Sequence, residues 1–276
     1  TGRFIGAVVT EGGNGELDDE FSRFCVYQLA STCESVSDLL TKLSLTEADI
    51  QHIERHTVGQ NDNIIWKSLR RGRLTASNFY RVHTKVETVR KNPMADCVKL
   101  VTSLLNPDDI SHLPQIRRGI ESEREAAQTV VRILSESHTN VELHECGLFL
   151  CPQHPYLGAS PDGLLTCNCC QPTLLEVKCP TADLTSLPYL NSSRQLREKS
   201  SYYGQIQGQM AITKIERSYF FVYKDNSEHH LQVVTMNKEF VEKMINNLQY
   251  FFTVHMVPAI LDQPTKKKRK HVILIE

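Results

Sequence analysis

Ser160-Pro161-Asp162-Gly163, followed after a short cysteine-bearing insert by Leu174-Leu175-Glu176-Val177-Lys178, is the stretch on which the reading of this chain turns. The second half is apolar and β-branched, which predicts a strand, and side chains along a strand alternate between faces. Glu176 and Lys178 therefore project together, while Leu175, Val177 and Cys179 point the other way into a core. Asp162 stands at a turn before that strand, so two carboxylates and one ammonium converge on one side.

This grouping suits a hard divalent cation. Magnesium takes oxygen ligands, usually one or two carboxylates, with phosphate and water completing the shell. Asp162 and Glu176 offer those oxygens and the Val177 carbonyl a third, with manganese a substitute ion. Such a cation polarises a phosphodiester and makes a nucleophile of water at neutral pH, and Lys178 would orient that water or offset charge on the phosphate. Glu-x-Lys on a strand is also a common solvated pair, and Asp-Gly is an ordinary turn signal, so the assignment depends on the rest of the chain.

At 276 residues, with 40% apolar and 23% charged side chains, the chain has the make-up of a soluble globular protein with a sizeable core. A net charge of −1 provides no global basic field, so any surface for nucleic acid must be local. No apolar run is long enough to span a bilayer, and the opening TGRFIGAVVT lacks the length and flanks of a secretory signal. The chain begins at Thr1, as a fragment of something longer would. Nine cysteines without disulfide-framework spacing fit a reducing compartment. Lys266-Lys267-Lys268-Arg269-Lys270 reads as a nuclear address or a nucleic-acid contact, with a solvated tail as the plain alternative. Nuclear location is the expectation, cytoplasmic otherwise.

Residues 1 to about 16 are glycine-rich and expected to be poorly ordered. Helical spacing from Asp18 to Leu45 predicts one or two short helices, and Thr46 with Asp49 caps another through Ile53. A loop at 59–63 precedes a segment from Ile64 to Tyr80 holding Trp66, the one tryptophan. A helix is predicted over 115–134, then strands at 141–150, 156–165 and 174–179 and a helix over 202–213. Strands at 218–223 and 231–236 and a long amphipathic helix over 238–261 complete the chain. This order describes an α/β sandwich with a mixed central sheet. Glu123, on the helix before the sheet, is placed to turn a third carboxylate toward Asp162 and Glu176, although a solvated glutamate is the plain reading.

Four segments in order resemble the lambda-exonuclease/YqaJ-type viral recombinase branch of the PD-(D/E)xK nucleases. They are Trp66-Lys67-Ser68-Leu69-Arg70-Arg71-Gly72-Arg73-Leu74-Thr75-Ala76-Ser77; Gly119 with Glu123 and Ala126; the opening stretch; and Tyr202-Tyr203-Gly204-Gln205-Ile206-Gln207-Gly208-Gln209. The resemblance covers roughly residues 57–256. It implies a restriction-endonuclease-like fold of lambda-exonuclease type over 57–262, preceded by a helical extension (1–56) and followed by a basic tail (263–276). It selects Glu123 over Glu121 and Glu125 and implies Glu123, Asp162, Glu176, Lys178 and Gln205 as the catalytic set. Arg70, Ser77 and Ser160 match a pocket for a terminal 5′-phosphate; a guanidinium grips phosphate in a bidentate manner and hydroxyls add hydrogen bonds. Ser77 also reads as a helix N-cap.

The activity implied is a magnesium-dependent exodeoxyribonuclease working 5′ to 3′ on linear duplex DNA and leaving single strands for recombination or repair. An endonuclease or RNase on the same scaffold and a catalytically silent DNA-binding module are the alternatives. Implied partners are DNA, further copies of the chain, and a single-strand annealing or recombination protein. The insert Thr166-Cys167-Asn168-Cys169-Cys170-Gln171 departs from the family. Cys167 and Cys170 form a CxxC that, with Cys151, His154 or Cys179, would make a tetrahedral zinc site; plain thiols are the other reading.

Overall fold

A computed structural model describes residues 19–107 and 114–262. The glycine-rich start and the Lys266–Lys270 run lie outside the described residues. Among those described, no helix is long and apolar enough to cross a membrane.

Five strands form a mixed sheet: β2 (Glu142–His144), β5 (Gly163–Cys167), β6 (Cys170–Lys178), β7 (Arg217–Tyr223) and β8 (His229–Thr235), in the order β2-β5-β6-β7-β8. Within this sheet only the β6–β7 pair runs parallel. A smaller sheet joins β1 (Leu74–Thr75), β4 (Leu157–Ala159) and β3 (Phe149–Leu150), with β4 central. The spans expected as single strands at 141–150 and 156–165 are each split between the two sheets. Pro161, lacking an N–H for a ladder, stands in the break between β4 and β5. Asp162 begins the crossing into the larger sheet, its N–H donating to the Leu175 carbonyl at 3.1 Å.

Helices cover both faces of the large sheet. On one face α8 (Pro114–Ser135) sets Ala126, Val130 and Leu134 against Leu165, Leu175, Val177 and Phe221. On the other, α9 (Ser201–Thr213) packs Ile206 and Met210 against Leu174, Phe220 and Val222. Glu176 and Lys178, out of phase with Leu175 and Val177, therefore face α9, as the alternation of the strand requires.

α6 (Ala76–Lys91), of which the sequence marks only a start near Ser77, and α7 (Val98–Leu105), which it does not mark, contribute to the largest core. The α6 and α9 axes approach closely because α9 presents Gly204 and Gly208 to α6. A Cβ on Gly208 would stand 2.3 Å from Phe79 Cδ2, and one on Gly204 would stand 2.6 Å from Tyr80 Cβ. The same spacing turns Gln205 and Gln209, one position on, toward β6.

The described residues of the amino-terminal part form four helices: α1 (Asp19–Ser22), α2 (Val26–Ala30), α3 (Val36–Lys42) and α4 (Glu47–His56). The Thr46–Asp49 capping box at α4 is formed as the sequence predicts. Val26, Leu39 and Leu43 share a core with Leu74, Phe79 and Phe252, and Ile50 and Ile53 share another with Trp66 and Leu148. Hydrophobic packing thus runs continuously across residue 56. The expected helix over 238–261 is observed as α10 (Lys238–Phe251), a π-helical turn (Phe252–Met256) and α11 (Val257–Leu261). Pro258 cannot bond back to Val254, and the wider turn absorbs that loss.

Candidate metal and phosphate site

The site lies where β4 hands over to β5, beside the carboxyl end of β6. Asp162 Oδ2 accepts the Val177 N–H at 2.7 Å, which fixes the aspartate against β6 across the break. Gln60 braces the turn from the other side, donating from Nε2 to the Pro161 carbonyl at 2.9 Å and the Cys146 carbonyl at 3.0 Å.

Glu176 is fully shielded from solvent, and both of its oxygens accept hydrogen bonds, with one acceptor site on Oε2 unused. Its Oε1 accepts from Lys178 Nζ and from Gln205 Nε2, each at 2.5 Å, and its Oε2 accepts from Gln209 Nε2 at 2.7 Å. A buried carboxylate without such partners would be prohibitively costly. Lys178 also donates to the Val177 carbonyl at 2.9 Å and lies 5.1 Å from the centre of the Tyr202 ring.

The electrostatics follow from this crowding. Loss of hydration and the Glu176 charge raise the Asp162 carboxyl above its ordinary range, against the pull of Lys178 and the Val177 N–H. Burial works against the Lys178 charge, but Glu176 and Asp162 outweigh it and hold the ammonium above its usual range. Glu123 stands on α8, on the opposite face of the sheet from Glu176, and makes no hydrogen bond to Asp162, Glu176 or Lys178. It is within their field: desolvation raises its pKa, Lys178 lowers it and Glu176 raises it.

A second cluster adjoins the first through Ser160. Trp66, on α5 (Ile64–Arg70), donates from its indole nitrogen to Ser160 Oγ at 2.8 Å. Arg70 stacks on Trp66 with its guanidinium carbon 3.8 Å from the ring centre, and its Nη2 reaches Thr75 Oγ1 at 3.5 Å. Thr75 in turn meets Ser77 Oγ at 3.2 Å. Burial pushes the Arg70 guanidinium down to about 10, still charged at neutral pH. Ser77 occupies the second position of α6; the N-cap is Thr75, whose side chain makes no capping bond. Arg73, from the same segment, is spent on the fold through the Pro155, Leu69 and Phe24 carbonyls at 2.6–2.9 Å.

The structure thus brings Asp162, Glu176, Lys178, Val177 and Gln205 together, with Glu123 at the margin and Arg70, Ser77 and Ser160 alongside. Sequence reasoning passed over Gln209, Thr75 and Gln60. Gln209 carried a readable signal, one helical turn beyond Gln205 on the same face. Gln207, between them, serves the scaffold by donating to the Thr235 carbonyl at 2.9 Å.

The expected cysteine set does not assemble. Cys151 is buried in the main core and its thiol meets Gln153, while His154 bonds the Tyr156 hydroxyl at 2.9 Å. Cys179 follows the carboxyl end of β6 and Cys170 begins it. Nine residues of extended chain separate them by roughly 30 Å.

The donors around Asp162 fit a hard cation. They are carboxylate and carbonyl oxygens, and the acids Asp162 and Glu176 share the single ammonium of Lys178.

Comparison with known proteins agrees with this architecture. Residues 65–216 match the model of the YqaJ-like viral recombinase domain. No curated protein matches the chain in sequence. Among solved structures, the chain is similar to an alkaline exonuclease, LHK-Exo, from Laribacter hongkongensis. Identity is 25% and the TM-score 0.51, over 74% of this chain and 96% of that one. The shutoff and exonuclease protein of Kaposi's sarcoma-associated herpesvirus shares the fold at 12% identity and a TM-score of 0.52, over 88% of this chain and 81% of that one. A SOX–DNA complex aligns over the same shares at 12% identity with a TM-score of 0.54. With the family model spanning more than half its length, the chain belongs to the YqaJ-like viral recombinase domain family.

Proposed function

We propose that this protein is a metal-dependent deoxyribonuclease that degrades one strand of linear duplex DNA from a 5′-phosphorylated end, leaving single-stranded DNA for recombination or repair. The observation that carries the reading is the solvent-shielded Glu176 carboxylate, held by Lys178, Gln205 and Gln209 beside Asp162. A scaffold gains nothing from burying an acid at the cost of three donors, whereas a metal ligand must be fixed in one rotamer.

Asp162, Glu176 and the Val177 carbonyl would hold magnesium or manganese, with Glu123 contributing from α8 toward a second ion. When bound, the cation supplies Lewis-acid polarisation of the scissile phosphate. Lys178 orients the attacking water and offsets negative charge on the phosphate, while Gln205 and Gln209 keep Glu176 from rotating. Arg70, flattened on Trp66, presents a poorly hydrated guanidinium suited to a terminal phosphate, with Ser77 and Ser160 adding hydroxyls and Thr75 holding Ser77. The adjacent start of α6 adds the positive end of a helix. Structures of relatives in complex with dAMP and with DNA lend support to DNA as the substrate. The catalytic unit on this reading spans 57–262, buttressed by the helices before it.

End dependence tests the proposal. Linear duplex should disappear in magnesium while a covalently closed circle of the same sequence persists; equal rates on both would overturn it.

A further inference from the structure

The hairpin tip between β5 and β6, far along the sheet from Asp162, gathers a second set of donors. Cys167 and Cys170 face each other across the ladder, with Asn168 and Cys169 as the turn. His138, three residues past the end of α8, meets them there. Its Nδ1 lies 3.2 Å from Cys169 Sγ, 3.4 Å from Cys170 Sγ and 3.8 Å from Cys167 Sγ. Cys169 Sγ is 3.4 Å from Cys167 Sγ and 3.9 Å from Cys170 Sγ. All four donor atoms lie within 4.8 Å of one another.

Hydrogen bonding does not account for this packing. A single ring nitrogen offers one proton or one lone pair, and here it has three sulfurs around it. A tetrahedral ion does account for it. With zinc–sulfur bonds near 2.3 Å and zinc–nitrogen bonds near 2.0–2.1 Å, the edges of the tetrahedron are about 3.8 Å between sulfurs and about 3.6 Å from sulfur to nitrogen. The observed separations scatter around those values. None of the three cysteines is in a disulfide.

We infer that His138, Cys167, Cys169 and Cys170 bind one structural zinc ion. Binding displaces the thiol protons to solvent and leaves no open coordination position, so the ion is a brace and not a second reaction centre. It ties the end of α8 to the β5–β6 hairpin, a junction also marked by the Asn168 N–H donating to the Thr139 carbonyl at 3.0 Å. Glu123 rides on α8, while Asp162 and Glu176 flank and lie on the hairpin strands. The brace therefore fixes the elements that carry the carboxylates relative to one another. It stands independently of the nuclease reading.

The test is the metal content of the full chain, purified from zinc-supplemented cells and dialysed against a weak chelator. About one zinc per chain is expected. Asp162→Asn should retain it, while Cys170→Ser and His138→Ala should lose most of it. Cobalt exchanged into the wild-type protein should give the thiolate charge-transfer and tetrahedral ligand-field bands of a sulfur-rich site. Should the variants fail to fold, a mercurial titration of the wild type decides: zinc should be released as cysteine thiols are consumed. A wild type without zinc and without the cobalt bands, zinc retained in both His138→Ala and Cys170→Ser, or a disulfide among these cysteines would each overturn the inference.

Discussion

Gln209 donates to Glu176 at 2.7 Å from α9 to β6, and neither side chain has any exposure to solvent. The bond joins the helix that packs on α6 to the strand that bears the candidate metal ligands. It makes the position of Glu176 a property of the core rather than of a surface rotamer.

Replacing Gln209 with Leu leaves Glu176 Oε2 buried without its donor. Loss of such a partner costs about 1–3 kcal/mol, more for a charged group. Gln209→Leu should unfold at lower urea and lose at least ~10-fold in cleavage rate, whereas the neighbouring Gln207→Leu should lose stability alone. Urea melts alongside a turnover assay separate the two outcomes, and a Gln209→Leu variant with wild-type turnover would contradict this role.

The shift at Asp162 has a definite sign. Its folded pKa is raised, so the metal-free folded state holds a proton that the unfolded chain has released, and its contribution to stability declines as pH rises through the folded value. A cation must displace that proton. The thermal upshift produced by magnesium should therefore be larger at about pH 8.5 than at about pH 6. Differential scanning fluorimetry at fixed magnesium reads this directly, and Asp162→Asn should flatten the dependence.

Arg70→Ala should reduce the preference for a 5′-phosphate over a 5′-hydroxyl, and Arg70→Lys should recover little of it. Lysine keeps the charge but loses the planar fork and the stack on Trp66. Rates on the two duplexes, compared as a ratio, isolate the pocket from general loss of activity. A ratio unchanged in Arg70→Ala would remove Arg70 from the phosphate site.

Gly208→Ala drives a methyl group to 2.3 Å from Phe79, itself fully buried in the largest core. Overpacking of this kind costs about 1–3 kcal/mol. The variant should melt earlier and, by tilting α9, also slow cleavage through Gln205 and Gln209.

Local signals were the legible ones. The Thr46–Asp49 capping box, the apolar stripe through Ala126 and Val130, and the alternation of Leu174 to Lys178 each report on their immediate neighbours. The carboxylate and lysine positions followed from that alternation and from the family resemblance. What escaped notice depends on contacts distant in sequence. Nothing near Gln60 announces that it holds the turn of Pro161, 101 residues on. His138 has no motif linking it to Cys170, 32 residues later. Cys151 and Cys179 lie near the insert in the predicted sheet, but nearness in a sheet does not say which end of a strand a residue occupies. The split of 156–165 into β4 and β5 was marked by Pro161, whose missing N–H weighs against a continuous strand.

The central claim is that Asp162, Glu176 and Lys178 form a metal-dependent centre acting from a 5′ end. Its most direct test is digestion of a linear duplex with 5′-phosphate, labelled separately at each end of one strand, by wild type and Lys178→Ala. In magnesium, the wild type should release the 5′ label first and leave the opposite strand intact, with no release in chelator and none by Lys178→Ala. Release of the 3′ label first, or undiminished activity in chelator or in Lys178→Ala, would contradict the account.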